Sequence, residues 1–108
     1  MQKAERRLAD LGLVLPAPWK DQANRVRSLR SGNYVFLSGH GPLDSDSLPL
    51  IVGKLGRDLT PQQGAEAARL AGLATLSTLR HRIGSLDKVK RVVHALGFIN
   101  CEIGRAHV

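Results

Sequence analysis

The chain has 108 residues, a net charge of +7 and a single cysteine, Cys101. This length supports one compact domain, and no apolar run is long enough to span a membrane. One cysteine gives no disulfide framework, and the N-terminus does not resemble a secretory signal, so we expect a cytoplasmic protein. The basic residues are dispersed and no nucleic-acid-binding motif accompanies them, which favours a solvated basic surface over a nucleic-acid partner.

Residues 1–20 are predicted to form an N-terminal helix and a proline-containing arm. Two leucines spaced three residues apart predict a short helix over residues 3–11, which Gly12 would end. Two prolines then impose extended backbone that cannot continue a helix. We expect Trp19, which follows them, to pack the arm against the rest of the domain.

The next segments predict strands. Residues 25–30 alternate polar and apolar side chains, as in a half-exposed strand. Residues 34–37 are apolar and mostly β-branched or aromatic, which predicts a strand buried on both faces. Gly32 and Asn33 separate the two segments and predict an antiparallel hairpin. The Leu, Ile and Val content of residues 48–56 suggests a third strand, which its proline and glycines would place at an edge or make irregular.

The clearest predicted helix begins after Thr60. Thr60 and Gln63 form a capping box, a proline occupies the first helical position, and Gly84 is a suitable C-cap. Small and apolar residues recur at steps of three and four, and with Leu73 they predict the buried stripe Ala65, Ala68, Gly72, Leu76, Leu79 and Ile83. Residues 88–100 fit both a helix and a strand, and periodicity alone leaves the two open.

A candidate ligand site follows the strand at residues 34–37. There Ser38 leads into a glycine-containing loop, and a hydroxyl beside exposed N–H groups is suited to holding a small polar ligand. A strand end with a tight turn is the simpler interpretation of the same residues. The sequence shows no phosphate-binding loop, no metal-ligand spacing and no Ser–His–Asp set.

Several motifs together resemble the RidA/YjgF family of reactive-imine deaminases over residues 6–100: "VFLSGHGPL", "GRDLT", "EAARLA" and "SLDKVKRVV…LGFIN". The resemblance implies an α+β, chorismate-mutase-like fold, in which helices cover one face of a mixed sheet and residues 90–99 form a strand. It also implies a homotrimer with sites at the subunit interfaces. Relative to the family pattern, the second helix and the last strand are missing.

The resemblance implies hydrolysis of 2-imino acids to 2-keto acids and ammonia, with no metal or organic cofactor. An arginine of a later strand would bind the substrate carboxylate, so we expect the parent protein to be active and this chain to be inactive. An RNA-binding or endoribonuclease-like role is an alternative, with His40 and either Asp44 or Asp46 as the acid–base pair. A non-catalytic small-ligand-binding role is another.

Five residues match or approach the family's substrate-binding positions. Ser38 and Gly39 match its Ser-Gly pair, whereas His40 stands where glutamine is usual. Arg25 stands where a tyrosine is frequent, and Asn100 falls after the fourth strand of the family fold.

The resemblance assigns residues 21–100 to a partial RidA-like domain. Residues 101–108 do not continue it, and most of them match the translation of a common sequencing adapter. We therefore expect a non-native tail, from an assembled metagenomic read, and we assign no function to Cys101, Arg105 or His107.

Overall fold

The computed structural model describes residues 3–44, 46 and 48–102. The elements in chain order are helix α1 (Lys3–Asp10), strands β1 (Ser28–Ser31) and β2 (Tyr34–Leu37), helix α2 (Pro61–Ile83) and a 3₁₀ helix (Leu86–Lys88). This composition confirms the α+β class. The part of the predicted tail that contains Arg105 and His107 lies outside the described residues.

The two strands form the predicted antiparallel hairpin, with Ser31 opposite Tyr34. Gly32 has a φ of 59°, a left-handed conformation that the two-residue turn requires and that glycine adopts without strain. The prediction that residues 34–37 are buried on both faces is wrong, because Tyr34 and Phe36 are 59% and 60% exposed. Helix α2 packs against the hairpin, and nothing among the described residues covers the face that carries these two rings.

Helix α2 begins and ends as the sequence predicts. The Thr60 side chain accepts a hydrogen bond from the Gln63 N–H, and the Thr60 N–H donates to the Gln63 side chain at 2.8 Å. Gly84 ends the helix with a φ of 88°, and its N–H donates to the Arg80 carbonyl. These contacts satisfy backbone groups that a helix otherwise leaves without partners at its two ends.

The buried face of α2 differs from the predicted stripe. Its buried residues are Leu73, Ala74, Ser77 and Thr78, whereas Ala65, Ala68 and Gly72 are exposed and Leu76, Leu79 and Ile83 are only half-buried. The pattern of apolar residues missed this face because two hydroxyl residues lie at its centre. Both have partners: Ser77 donates to the Pro16 carbonyl at 2.6 Å, and Thr78 contacts His40. A satisfied hydroxyl can be buried at little net cost.

The N-terminal arm folds back onto the C-terminal end of α2. Trp19 is buried, which confirms the prediction that it packs the arm against the domain. In helix α1, which precedes the arm, the Glu5 carboxylate accepts hydrogen bonds from Arg80 at 2.6 Å and from the Leu86 N–H at 2.7 Å. In return, the Glu5 N–H donates to the Asp87 carboxylate at 2.9 Å. Helix α1 and the 3₁₀ helix therefore each supply an acceptor to the other.

Two predicted strands are not found among the described residues. Residues 48–56 form only isolated bridges, such as Leu43 with Pro49 and Leu55 with Cys101, which agrees with the irregular alternative. Residues 89–100 are neither helix nor strand, and their apolar side chains are largely exposed, Phe98 by 88%. A strand needs a neighbouring strand to bond its N–H and C=O groups. The described sheet consists of β1 and β2, and neither strand pairs with this segment.

Candidate functional site

The Ser38 loop (residues 38–42) begins where β2 ends, and its hydroxyl turns back toward the protein. The Ser38 N–H donates to the Arg27 carbonyl at 3.0 Å, and the Ser38 Oγ donates to the same oxygen at 3.3 Å. The hairpin ladder thus extends by one residue beyond β1. In the loop that follows, the N–H groups of Gly39 and Gly41 have no acceptor among the described residues, so they are available to a ligand.

His40 bridges the Ser38 loop and helix α2. Its Nδ1 lies 2.6 Å from the Ser38 carbonyl oxygen, and its Nε2 lies 2.7 Å from the Thr78 hydroxyl. A carbonyl can only accept, so the Nδ1 carries the proton and the Nε2 accepts from Thr78. The ring also stacks on Trp19, with ring centroids 4.6 Å apart. These contacts make His40 a packing residue in this structure, because neither ring nitrogen is left to bind a ligand.

The surroundings of His40 favour its neutral form. Partial burial lowers the pKa of the imidazole most strongly, and the charges of Arg27 and Arg25 lower it further. The hydrogen bond to the Ser38 carbonyl acts in the opposite direction and only partly offsets them. Because the pKa falls below the ordinary histidine value, His40 is neutral at pH 7, in agreement with its role as an acceptor from Thr78.

Arg27 is a buried cation that the sequence did not single out. It is 5% exposed, and its guanidinium carbon lies 5.1 Å from the centroid of the Trp19 ring. Its Nε donates to the Lys20 carbonyl, and its backbone N–H donates to Asp21. The alternating pattern of residues 25–30 placed arginine outside and valine inside, but Val26 is 53% exposed. A tryptophan shortly before an arginine was the available signal, since such pairs attract each other.

A groove of about 570 Å³ lies between the arm, β1 and the C-terminal half of α2, and we call it the basic groove. Its lining includes Trp19, Lys20, Asp21, Arg27, Thr78 and Arg82. Arg82 is fixed at the rim, where it donates to the Ser28 hydroxyl at 2.8 Å and to the Ser28 carbonyl at 2.9 Å. The Trp19 indole N–H is buried and has no acceptor among the described residues.

The structure brings together only part of the predicted site. Ser38, Gly39 and His40 share one loop, and Arg25 is close enough to affect the His40 pKa. Arg25 itself is exposed in a tight turn, where it exchanges backbone hydrogen bonds with Gln22. Gly39 is exposed with open space around it, so neither a positive φ nor a close contact requires glycine there.

Asn100 lies away from this cluster. Its carbonyl accepts from the Leu55 N–H at 2.8 Å, and the Leu55 side chain lies directly against Gly64 near the start of α2. His40 contacts the same helix at Thr78, which at 1.5 Å per residue is roughly 20 Å further along the axis. The described residues of one chain therefore do not assemble Asn100 with Ser38 and His40.

Comparisons with solved structures place this geometry in a known class. A protein of unknown function from Agrobacterium tumefaciens (Atu1372) matches with a TM-score of 0.67 and 32% identity, over 82% of this chain and 54% of that protein. A "putative endoribonuclease" from Shewanella oneidensis matches with a TM-score of 0.72 and 32% identity, over 82% and 58%. The chain has a RidA/YjgF-like fold, as its motifs predict.

Among curated proteins, Protein TCP17 from Trypanosoma cruzi is 38% identical over 93 residues, which are 86% of this chain and 58% of that protein. The chain thus spans little more than half the length of each of these relatives. No protein-family model matches it. None of the helices that the structure describes is both long and apolar enough to cross a membrane.

Proposed function

We propose that the protein represented by this chain is a RidA-like hydrolase of 2-imino and enamino acids, acting as a cytoplasmic homotrimer without a cofactor. Water would add to the imine carbon and both of its protons would pass to the nitrogen. The C–N bond would then break, so that ammonia leaves and a 2-keto acid remains. The proposal depends on one observation: in a RidA/YjgF-like fold, the Ser38 loop has two N–H groups, those of Gly39 and Gly41, without an acceptor among the described residues. Backbone N–H groups are good donors to a carboxylate.

We expect the 108-residue chain itself to be inactive. The Ser38 hydroxyl and both His40 nitrogens already have partners within the chain. The loop and Asn100, which the resemblance assigns to one pocket, lie roughly 20 Å apart along α2. Imine hydrolysis gains most of its rate from orienting the substrate and stabilising developing charge, and a divided site supplies neither.

An imine-hydrolysis assay tests both statements. An amino acid oxidase would generate the 2-imino acid in solution, and release of the 2-keto acid would be followed with and without protein. We expect the buffer rate with this chain and acceleration with the longer native gene product. In the longer protein, Ser38→Ala should reduce the acceleration and Ser31→Ala, at an exposed strand end, should not. Acceleration by the short chain, or none by the long one, would show that the proposal is wrong.

A ribonuclease-like role is the second candidate, and the basic groove is the observation that favours it. The predicted acid–base pair gives it no support. His40 is occupied by Ser38 and Thr78, and the Asp44 carboxylate accepts from the N–H groups of Asp46 and Leu48 in its own loop. If RNA is cleaved, we expect the cleavage rate to be unchanged by His40→Gln. A loss of cleavage in that variant would instead support the predicted acid–base pair.

A further inference from the structure

We propose that the basic groove binds a small phosphate monoester. No residue of the Ser38 loop lines the groove, although Trp19, Arg27 and Thr78 also contact that loop. The proposal goes beyond the hydrolase function, because it concerns the cations of the groove and not the loop. The groove volume of about 570 Å³ is within the range of sites for ligands of nucleotide size.

The charges of the groove match a phosphate better than a carboxylate. The lining includes three cations, Lys20, Arg27 and Arg82, and one anion, Asp21. A phosphate monoester carries about −1.5 to −2 at pH 7, whereas a monocarboxylate carries only one negative charge. The groove lining therefore favours the doubly charged ligand.

The two guanidinium groups are held in place before any ligand arrives. Arg27 is fixed by the Lys20 carbonyl and by the Trp19 ring. Arg82 directs two of its donors at Ser28, and a guanidinium has five. Preorganised arginines lose little conformational freedom on binding, and this makes them effective phosphate ligands.

Trp19 adds a second, independent observation. It lines the groove and is 6% exposed, and its indole N–H is buried with no acceptor among the described residues. A buried donor without a partner costs free energy, and an oxygen of a bound ligand could accept from it after a small adjustment. Cations in the last turn of α2 also stabilise the helix end, and this effect alone explains an arginine at position 82. That effect does not explain the buried Arg27 or the exposed Lys20, which lie outside the helix.

Trp19 is the only tryptophan of the chain, so its fluorescence reports directly on the groove. The full chain would be titrated with inorganic phosphate and with phenyl phosphate at constant ionic strength, using chloride and acetate as controls. We expect a saturable change with the phosphates alone. Lys20→Met should weaken binding about tenfold, as for the loss of one charge-assisted contact. The Lys20 carbonyl that holds Arg27 is retained in that variant.

Lys90→Met is the matched control, because Lys90 is an exposed lysine in residues 89–100. It should leave the phosphate affinity within twofold of the parent chain. Equal weakening by the two variants would indicate general charge attraction and would overturn the proposal, as would the absence of saturation. Binding of a short RNA without binding of either free phosphate would overturn the small-molecule assignment. Phosphate binding is read without substrate turnover, so it can succeed or fail independently of imine hydrolysis.

Discussion

The two ends of helix α2 lie in differently packed regions of the molecule. Around its C-terminal half, the arm, the hairpin and the 3₁₀ helix form a packed region that contains the buried apolar residues Leu8, Trp19, Leu73, Ala74 and Leu86. Around its N-terminal half, residues 48–59 and 89–102 form an open region, in which Val52 is 74% exposed and Phe98 88% exposed. Apolar residues are frequent in both regions, so apolar content alone does not produce a core.

The difference lies in the contacts that cross between segments. In the packed region, polar groups far apart in sequence meet, such as Ser77 with Pro16 and His40 with Thr78. In the open region, much of the bonding is local, as in the turn where the Lys54 carbonyl accepts from Asp58 and Leu59. Its two segments are joined by backbone hydrogen bonds of Leu55 with Asn100 and Glu102, which bury no apolar side chain among residues 89–100. Burial of an apolar side chain requires a second surface. The packed region supplies that surface from distant parts of the chain.

The largest expected effect is that of replacing Trp19. We expect Trp19→Ala to lower the free energy of unfolding by about 3–5 kcal/mol, because it removes a buried ring that contacts both His40 and Arg27. Phe98→Ala, in the open region, should cost about 0.5 kcal/mol or less. Urea unfolding followed by far-ultraviolet circular dichroism measures both. An equal cost for the two variants would show that the open region is packed in solution.

A smaller effect on the free energy of unfolding is expected from the Glu5 contacts that join α1 to α2 and the 3₁₀ helix. Glu5→Gln should cost about 1 kcal/mol, since the ion pair with Arg80 is partly exposed and the Leu86 N–H keeps a weaker acceptor. The control is Glu66→Gln, which removes an exposed pair with Arg69 and should cost about 0.3 kcal/mol. Thermal unfolding at pH 7 compares the two variants. Equal costs would argue against the contacts of α1 with α2 and the 3₁₀ helix.

The Glu5 carboxylate also predicts that the free energy of unfolding depends on pH in the acid range. The hydrogen bond from Arg80, followed by that from the Leu86 N–H, lowers the pKa of Glu5. A group whose folded pKa is lowered stabilises the protein fully above its unfolded pKa, about 4.3 for glutamate, and this contribution is lost as the pH falls through the lower folded value. The cost of Glu5→Gln should therefore shrink in acid. A cost that is the same at pH 7 and in acid would contradict the ion pair.

The smallest effect is expected from the titration of His40. Burial lowers its pKa, so its neutral form is favoured in the folded state, and this stabilisation is complete above the unfolded pKa of about 6.5. It declines as the pH falls from there toward the lower folded pKa. His40→Gln should remove this dependence while His94→Gln, at an exposed position, should not. The free energy of unfolding measured between pH 8 and pH 5 checks it, and a dependence that survives in His40→Gln would be contrary to the proposed contacts.

The residues of the candidate site show how far sequence reasoning reaches. The position of Ser38 at the end of a strand and the loop of glycines after it were predicted correctly. The role of His40 was not, because its partner Thr78 is distant in sequence and nothing local marks that threonine as a buried hydrogen-bond donor. Arg27 was predicted to be a surface charge, because the alternation of residues 25–30 indicated exposure, but it is buried. Arg82 is exposed, as the polar flank of α2 predicted.

The sequence by itself determined the hairpin, the caps of α2, the end of α1 and the RidA/YjgF-like fold. In each of the local features the partner groups lie within a few residues, so their chemistry is visible in a short stretch of chain. Tertiary structure alone decided which face of α2 is buried and which groups form hydrogen bonds with His40. It also decided that residues 89–100 have no strand partner among the described residues. These outcomes depend on surfaces and backbone groups contributed by distant segments, and local patterns contain no information about where those segments come to lie.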